Sequence, residues 1–387
     1  NVNRDMGFNK AIIRIQSQGY ATEWDCLTGK KYTIQAKFND GWTEFVTDFS
    51  PSGEHVYVLT QDKEDLPIHP EYKETRRIVC EGPYEYKLSE PNICVLDFAR
   101  YKIDDQAWQE SKEVLKVDQS IRHAFGLPIR GGEMVQPWFR EKYMPQPEVK
   151  GTVMLTFDFE VEQIPQEPVY LCMEQPDNFK MKLNNHELSS KADGWWIDIA
   201  FKKIMVPMEY FKSGKNELTL EVAFHDGINI EALYLIGDFG VRINGTAKIL
   251  TAIPEKLSAV DVVAQGLPFY TGSITYRIPV ITKPKDEEAA FITTPKFESA
   301  CIKVLDRIIA WKPYEAEITD IIKQNSVIEL EVVLTRRNTF GPLHQIPLKA
   351  GAYGPGSFTT EGGGFTENYM LYPSGLLEAP VIRFAKT

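Results

Sequence analysis

Hydrophobic and polar positions alternate with a period of two over much of this chain. Val153, Leu155, Phe157, Phe159 and Val161 interleave with Met154, Thr156, Asp158 and Glu160. Successive strand side chains point to opposite faces, so this pattern predicts a strand with one buried and one wet face. Leu218, Leu220, Val222 and Phe224 repeat the pattern, as do Ile274, Tyr276, Ile278 and Val280, and Ile328, Leu330, Val332 and Leu334. Nearer the start, Asn9–Gln16 reads as a strand, and Tyr32, Ile34, Ala36 and Phe38 alternate before Asp40-Gly41. Turn-forming clusters separate the runs: Thr28-Gly29, Ser50-Pro51-Ser52-Gly53, Asn184-Asn185 and Ser213-Gly214-Lys215-Asn216. Many short strands with frequent turns predict an all-β fold of two or three antiparallel sandwich or jelly-roll domains.

Helical periodicity is scarce. Val114, Val117, Ile121 and Phe125 step by three and four, which predicts a helix over 112–125. Ser111 is placed to cap it, and Gly126 and Pro128 to stop it. No series of strand–helix–strand units is visible, which excludes a complete (β/α)₈ barrel.

A weak internal repeat relates 153–224 to 273–334. Phe179–Leu183 matches Cys301–Val304, Trp196–Ile199 matches Tyr314–Ile318, and Asn216–Val222 matches Ser326–Val332. The junction falls near 245–272, after a hairpin turn at Asn244-Gly245. Residues 10–60 read as a β-meander, and 62–92, charged and proline-bearing, as a surface excursion. Residues 109–150 read as a helical connector that includes the irregular stretch Gln136-Pro137-Trp138-Phe139. Six glycines lie between 351 and 364, ahead of a closing strand in Pro380–Phe384. The expected limits are 1–108, 109–150, 151–250 and 251–387.

Composition narrows the function. The 387 residues carry 43 Lys plus Arg against 54 Asp plus Glu, a net charge of −11. Such a chain repels a polyanion, so nucleic acid is not an expected partner. No apolar run reaches the roughly 18–20 residues of a membrane helix, so no membrane partner is expected. Five cysteines, at 26, 80, 94, 172 and 301, show no CxxC spacing and predict buried thiols rather than a disulfide framework. Free thiols without a visible signal segment favour a cytoplasmic location. The chain starts at Asn1 on the edge of a strand, which reads as a cut through a longer polypeptide.

Motifs of chemistry are mostly missing. Asp238-Phe239-Gly240 lacks the other kinase elements and reads as a turn at a strand edge. The glycines of 351–364 lack Gly-Lys-Ser/Thr and read as a surface loop. The six histidines include no HxH or HExxH pair, and there is no GxSxG elbow. Asn244-Gly245-Thr246 spells a glycosylation sequon but reads as a hairpin turn. No catalytic residue, metal or cofactor is assigned. Aromatic loops say more. Trp195 and Trp196 follow Asp193-Gly194, and Trp311 and Tyr314 occupy the equivalent loop of the second copy. Indole rings stack on the apolar faces of sugars, or else plug the ends of a sandwich. Arg337, Asn338 and His344 follow the last repeat strand and either bind hydroxyls or a carboxylate, or tie loops.

These residues carry a resemblance. Gly266-Leu267-Pro268-Phe269-Tyr270-Thr271-Gly272, followed by Ile274-Thr275-Tyr276-Arg277, resembles the entry strand of the galactose-binding-like jelly roll. That module accompanies family 2 and α-L-rhamnosidase-like glycoside hydrolases. Trp311, Tyr314, Ile318-Thr319-Asp320 and Val327–Val332 are similar to its onward course, with Leu305-Asp306 where the module has Asn-Gly. Leu233–Val241, Arg337–His344 and Tyr372–Pro380 look like C-terminal parts of such enzymes. Trp24-Asp25 with Thr28-Gly29 resembles a preceding sandwich domain in them. The resemblance implies galactose-binding-like sandwiches over 151–250 and 251–387, with the catalytic barrel on a separate domain before Asn1. It implies a non-catalytic carbohydrate-binding portion of a glycoside hydrolase, with a glycan and its own upstream catalytic domain as partners. A complete all-β glycosidase and a structural or adhesion protein remain open alternatives.

Overall fold

The computed structural model describes residues 1–130, 139, 142–144, 147–348 and 354–387. Apart from Phe139, the stretch Gln136–Phe139 lies outside them. The fold is all-β and built of antiparallel sheets, with short helices at Val114–Ala124, Thr319–Gln324 and Arg337–Phe340. No helix among the described residues is long and apolar enough to cross a membrane. The chain forms two compact units, each assembled from separated segments. The first takes 1–84, 276–332 and 376–387, and the second takes 85–275 and 333–375.

In the second unit the strand Gly151–Val161 lies between Phe98–Ile103 and Gly214–Phe224, and Phe179–Leu183 and His186–Leu188 continue the sheet. The register sets Val153 against Val222, Leu155 against Leu220 and Phe157 against Leu218. All six side chains are buried, as the alternation requires. A second sheet orders Trp195–Trp196, Asp198–Val206, Val169–Glu174, Leu233–Gly237 and Asn92–Leu96. Its inward residues Leu171, Ile204 and Leu235 share one apolar core with the first sheet. The predicted hairpin at Asn244-Gly245 joins Gly240–Asn244 to Ala247–Thr251, with Gly245 at φ +60°.

The first unit repeats the strand order. Arg307–Ile309, Cys301–Val304, Val327–Val333 and Ser273–Pro279 are neighbours in one sheet. The second unit places His186–Leu188, Phe179–Leu183, Gly214–Phe224 and Gly151–Val161 in the same relation. A further sheet of the first unit orders Glu315–Glu317, Ala289–Thr293, Val381–Lys386 and Lys73–Val79.

Four local expectations change. The helix starts at Val114, not at 112, and Glu113 rather than Ser111 caps it. Residues Gln109–Glu113 are still paired with Phe98–Ala99 and Tyr101, so the strand holds Ser111 away from the cap position. The glycine stop holds, with Gly126 at φ +66°. The excursion over 62–92 contains the edge strand Lys73–Val79. Its charged residues are tolerated because Arg76 lays its guanidinium over the Phe384 ring at 3.8 Å and pairs with Glu288. Tyr32–Phe38 is two short strands in different sheets, Lys31–Thr33 and Lys37–Asn39. Thr319–Gln324 is a helix that the alternation around it concealed. All five cysteines are free thiols, of which Cys80, Cys94 and Cys172 are buried and Cys26 is exposed.

Candidate functional site

One end of the second unit holds a cavity of about 810 Å³. Four loops and the helix Val114–Ala124 build its wall. Val114, Val117 and Ile121 anchor the helix in the core, which leaves Asp118 and Arg122, one turn apart, on a second buried face. Arg122 is 2% exposed, and all its donors are committed. Nε donates to Asp118 at 2.9 Å, Nη1 to Asp226 Oδ1 at 3.0 Å and Pro128 O at 3.5 Å, and Nη2 to the Asp226 and Ile228 carbonyls at 3.3 and 2.7 Å. The guanidinium therefore staples the helix to the loop after Gly214–Phe224. Arg130, beyond the helix stop, donates to Asp118 at 3.1 Å, to Glu231 and to the Ile230 carbonyl at 3.2 Å.

Tyr234, Phe340 and His344 also line the cavity, with Phe358 and Thr360 from the glycine-rich segment. That segment, expected as a surface loop, supplies cavity wall from Gly354 to Thr360. Phe340 stacks on Phe201, with centroids 5.5 Å apart, and meets the Tyr234 ring at 5.6 Å.

Two carboxyls in the wall have opposite environments. Asp97 is buried, and burial alone would raise its pKa. The Lys248 ammonium at 3.0 Å, the His344 Nε2 contact at 3.1 Å and the Tyr369 hydroxyl outweigh that cost and hold it at about 2. Both of its oxygens are occupied by protein partners. Glu113 is also buried, and desolvation pushes it up to about 7. Its Oε2 accepts the Leu115 and Lys116 backbone N–H groups at 3.0 and 3.3 Å, while Oε1 has no donor among the described residues. The Tyr234 hydroxyl also has no partner among the described residues although the residue is 6% exposed, and burial raises its pKa. Among the described residues no cluster of metal-ligating side chains occurs.

The residues named from sequence separate. Trp311 and Tyr314 belong to the first unit, where Trp311 is exposed and Tyr314 packs edge-on against Phe297 at 4.9 Å. The other five belong to the second unit. Trp195 is 55% exposed, but Trp196 is buried against Phe201, Tyr234 and Phe340 with its indole N–H unpaired. Arg337 sets its guanidinium 5.2 Å from the Tyr372 ring centre. Asn338 is buried and ties a loop, donating to the Tyr372 carbonyl at 2.8 Å and accepting the Tyr372 N–H at 2.9 Å. Of the seven, His344 lines the cavity. Glu113, Asp118, Arg130, Glu231 and Tyr234 were missed. Asp118 and Arg122 left one signal, an opposite-charge pair four apart inside the predicted helix.

No family model matches this chain, and no curated protein matches it. Solved structures of glycoside hydrolases do. A rhamnosidase from Novosphingobium sp. PP1Y aligns over 58% of this chain and 18% of its own, at 14% identity and a TM-score of 0.19. A β-glucuronidase from Ruminococcus gnavus, in complex with C6-substituted uronic isofagomine, aligns over 65% of this chain and 41% of its own, at 11% identity and a TM-score of 0.22. A β-D-glucuronidase from Dictyoglomus thermophilum gives 64% and 39%, at 11% identity and a TM-score of 0.22. The chain thus spans less than half the length of each. What the molecule itself defines is a class, the antiparallel β-sandwich protein with a polar, ring-walled cavity in one of its two units.

Proposed function

We propose that this chain is a glycan-binding, non-catalytic β-sandwich portion of a glycoside hydrolase of rhamnosidase-like type, and that the sugar enters the cavity of the second unit. The observation that carries the reading is the wall itself. It combines carboxylates, guanidinium groups and aromatic rings around about 810 Å³, within the roughly 300–1,000 Å³ usual for small-ligand sites. Rings serve the C–H faces of a pyranose, and carboxylates take its hydroxyls. The exposed indoles of Trp195 and Trp311 are proposed as outer stacking platforms on their respective units.

The alternative of a complete all-β glycosidase draws on one observation. Glu113 near 7 and Asp97 near 2 show the split that acid and base pairs display. Against it, Lys248, His344 and Tyr369 already occupy Asp97, leaving no free edge for a sugar or a water.

Calorimetric titration with a panel of neutral monosaccharides and oligosaccharides tests the reading. Saturable binding is expected, weakened about tenfold in Phe358→Ala, since a stacked ring contributes about 0.5–1.5 kcal/mol. Phe358 is half-exposed, so this truncation spares the core. No binding by any sugar would end the proposal. Turnover of aryl glycosides that is lost in Glu113→Gln would favour the enzyme instead.

A further inference from the structure

We propose that the glycan taken by this cavity carries a protonated amine, received by the free edge of Glu113 and the Tyr234 hydroxyl; this rests on the glycan reading above. Charge is the first ground. Asp97, Asp118, Asp226 and Glu231 line the cavity, and Lys248, Arg122 and Arg130 are among the cations paired with them. Glu113 adds a fifth carboxyl to that wall. A wall rich in carboxyls concentrates cations and repels carboxylates, so a uronate is disfavoured.

Unused valence is the second ground. The five donors of Arg122 are spent on protein acceptors, so it cannot grip an anion. Glu113 Oε1 and the Tyr234 hydroxyl, on residues at least nine-tenths buried, have no partner among the described residues and belong to side chains that line the same cavity. Both atoms are open to the cavity rather than sealed in the core, so each is available to a ligand that donates to it. An ammonium has three donors and sets a positive charge beside the Glu113 carboxyl. The rings of Tyr234 and Phe340 add π faces that favour a cation over a neutral group. The charged groups that act on Glu113 are Asp97 and His344. Lys116, on its own helix, sets its ammonium 3.6 Å from the centre of the Phe365 ring instead.

Docking an ammonium beside Glu113 favours its carboxylate, so the Glu113 proton passes to buffer. The probes are 6-amino-6-deoxyglucose, glucose, glucuronate and cyclohexylamine, titrated calorimetrically into the full chain at pH 7. The expected result is amino sugar bound at least tenfold tighter than glucose, glucuronate weakest, and about half a proton released per amino sugar, read from buffers of differing ionisation enthalpy. The preference should fall to about one in Glu113→Gln and by a few-fold in Tyr234→Phe, which removes only a hydroxyl. Glucose binding as tightly as the amino sugar, or a preference that survives Glu113→Gln, would overturn this inference and leave the glycan reading standing. Cyclohexylamine binding as well as the amino sugar, with glucose unbound, would support the amine site and overturn the glycan reading. Binding of none of the four would overturn both.

Discussion

The two sandwiches share a strand order and differ in what they do with polar groups. In the second unit, Asp97, Lys248, Asp118 and Arg122 are all buried, and their ion pairs stand in and around the cavity wall. In the first unit no pair among the described residues buries both partners: Glu288 is buried but its Arg76 is partly exposed, Arg383–Glu315 is about one-fifth exposed on each side, and Arg307–Asp320 more so. The copies differ again at matching hairpins. Asn184 and Asn185 take left-handed φ of +50° and +70°, which asparagine tolerates. In the first unit Leu305 takes φ +55° with an exposed side chain, which leucine does not favour. Topology is thus shared within the chain while burial of whole ion pairs is not. The cavity with unpaired groups occurs in the unit that buries both partners.

Substitutions can break this contrast, and the largest effect belongs to the buried ring. Trp196→Ala should cost the second unit about 3–5 kcal/mol, as for other buried tryptophans, whereas exposed Trp311→Ala should stay within about 0.5 kcal/mol. Denaturant melts of both variants beside a glycan titration check this. A mild melt for Trp196→Ala would show that the ring is not core.

Lys248→Met should cost about 3–5 kcal/mol, because Asp97 would remain buried without its main counter-charge. The matching change in the first unit, Arg383→Met, should cost about 1 kcal/mol, since water screens the Glu315 left behind. Equal losses would erase the distinction between the units.

Glu113 supplies a pH test. Between about pH 4.5 and 7 the folded chain keeps a proton that the unfolded chain has released, so stability falls as pH rises through that window. Holding the carboxyl at about 7 costs about 3 kcal/mol once both states are ionised. Glu113→Gln keeps an acceptor for the helix N–H groups and removes that cost. The variant should therefore melt higher than the parent at pH 8 and alike near pH 4. A pH-independent difference would show that the effect is capping alone.

The smallest expected effect is at the hairpin. Leu305→Asn should stabilise the first unit by about 1 kcal/mol by relieving a left-handed leucine. Asn185→Leu, one residue past the position that matches Leu305, places a leucine at φ +70° and should destabilise the second unit by a similar amount. Thermal melts of the two variants read the difference.

Alternation by itself determined the all-β class, the four long strands around 155, 220, 276 and 330, and the hairpin at Asn244-Gly245. The period of two is a local property, and burial on one face enforces it wherever the strand pairs. The weak repeat was legible for the same reason, since each copy spaces its strands alike. Tertiary structure decided which segments share a unit, because Lys73–Val79 meets Val381–Lys386 through pairing across some three hundred residues. It also decided the site. His344, Asp97, Glu113, Tyr234 and Arg130 stand in five separate stretches of chain, with no motif spacing among them. Whether a given Glu is solvated or left with one free edge in a cavity depends on which loops close over it. Nothing local to Glu113 encodes that, and the same holds for the indoles: Trp195 and Trp196 are neighbours in sequence, yet strand pleating exposes one ring and buries the other.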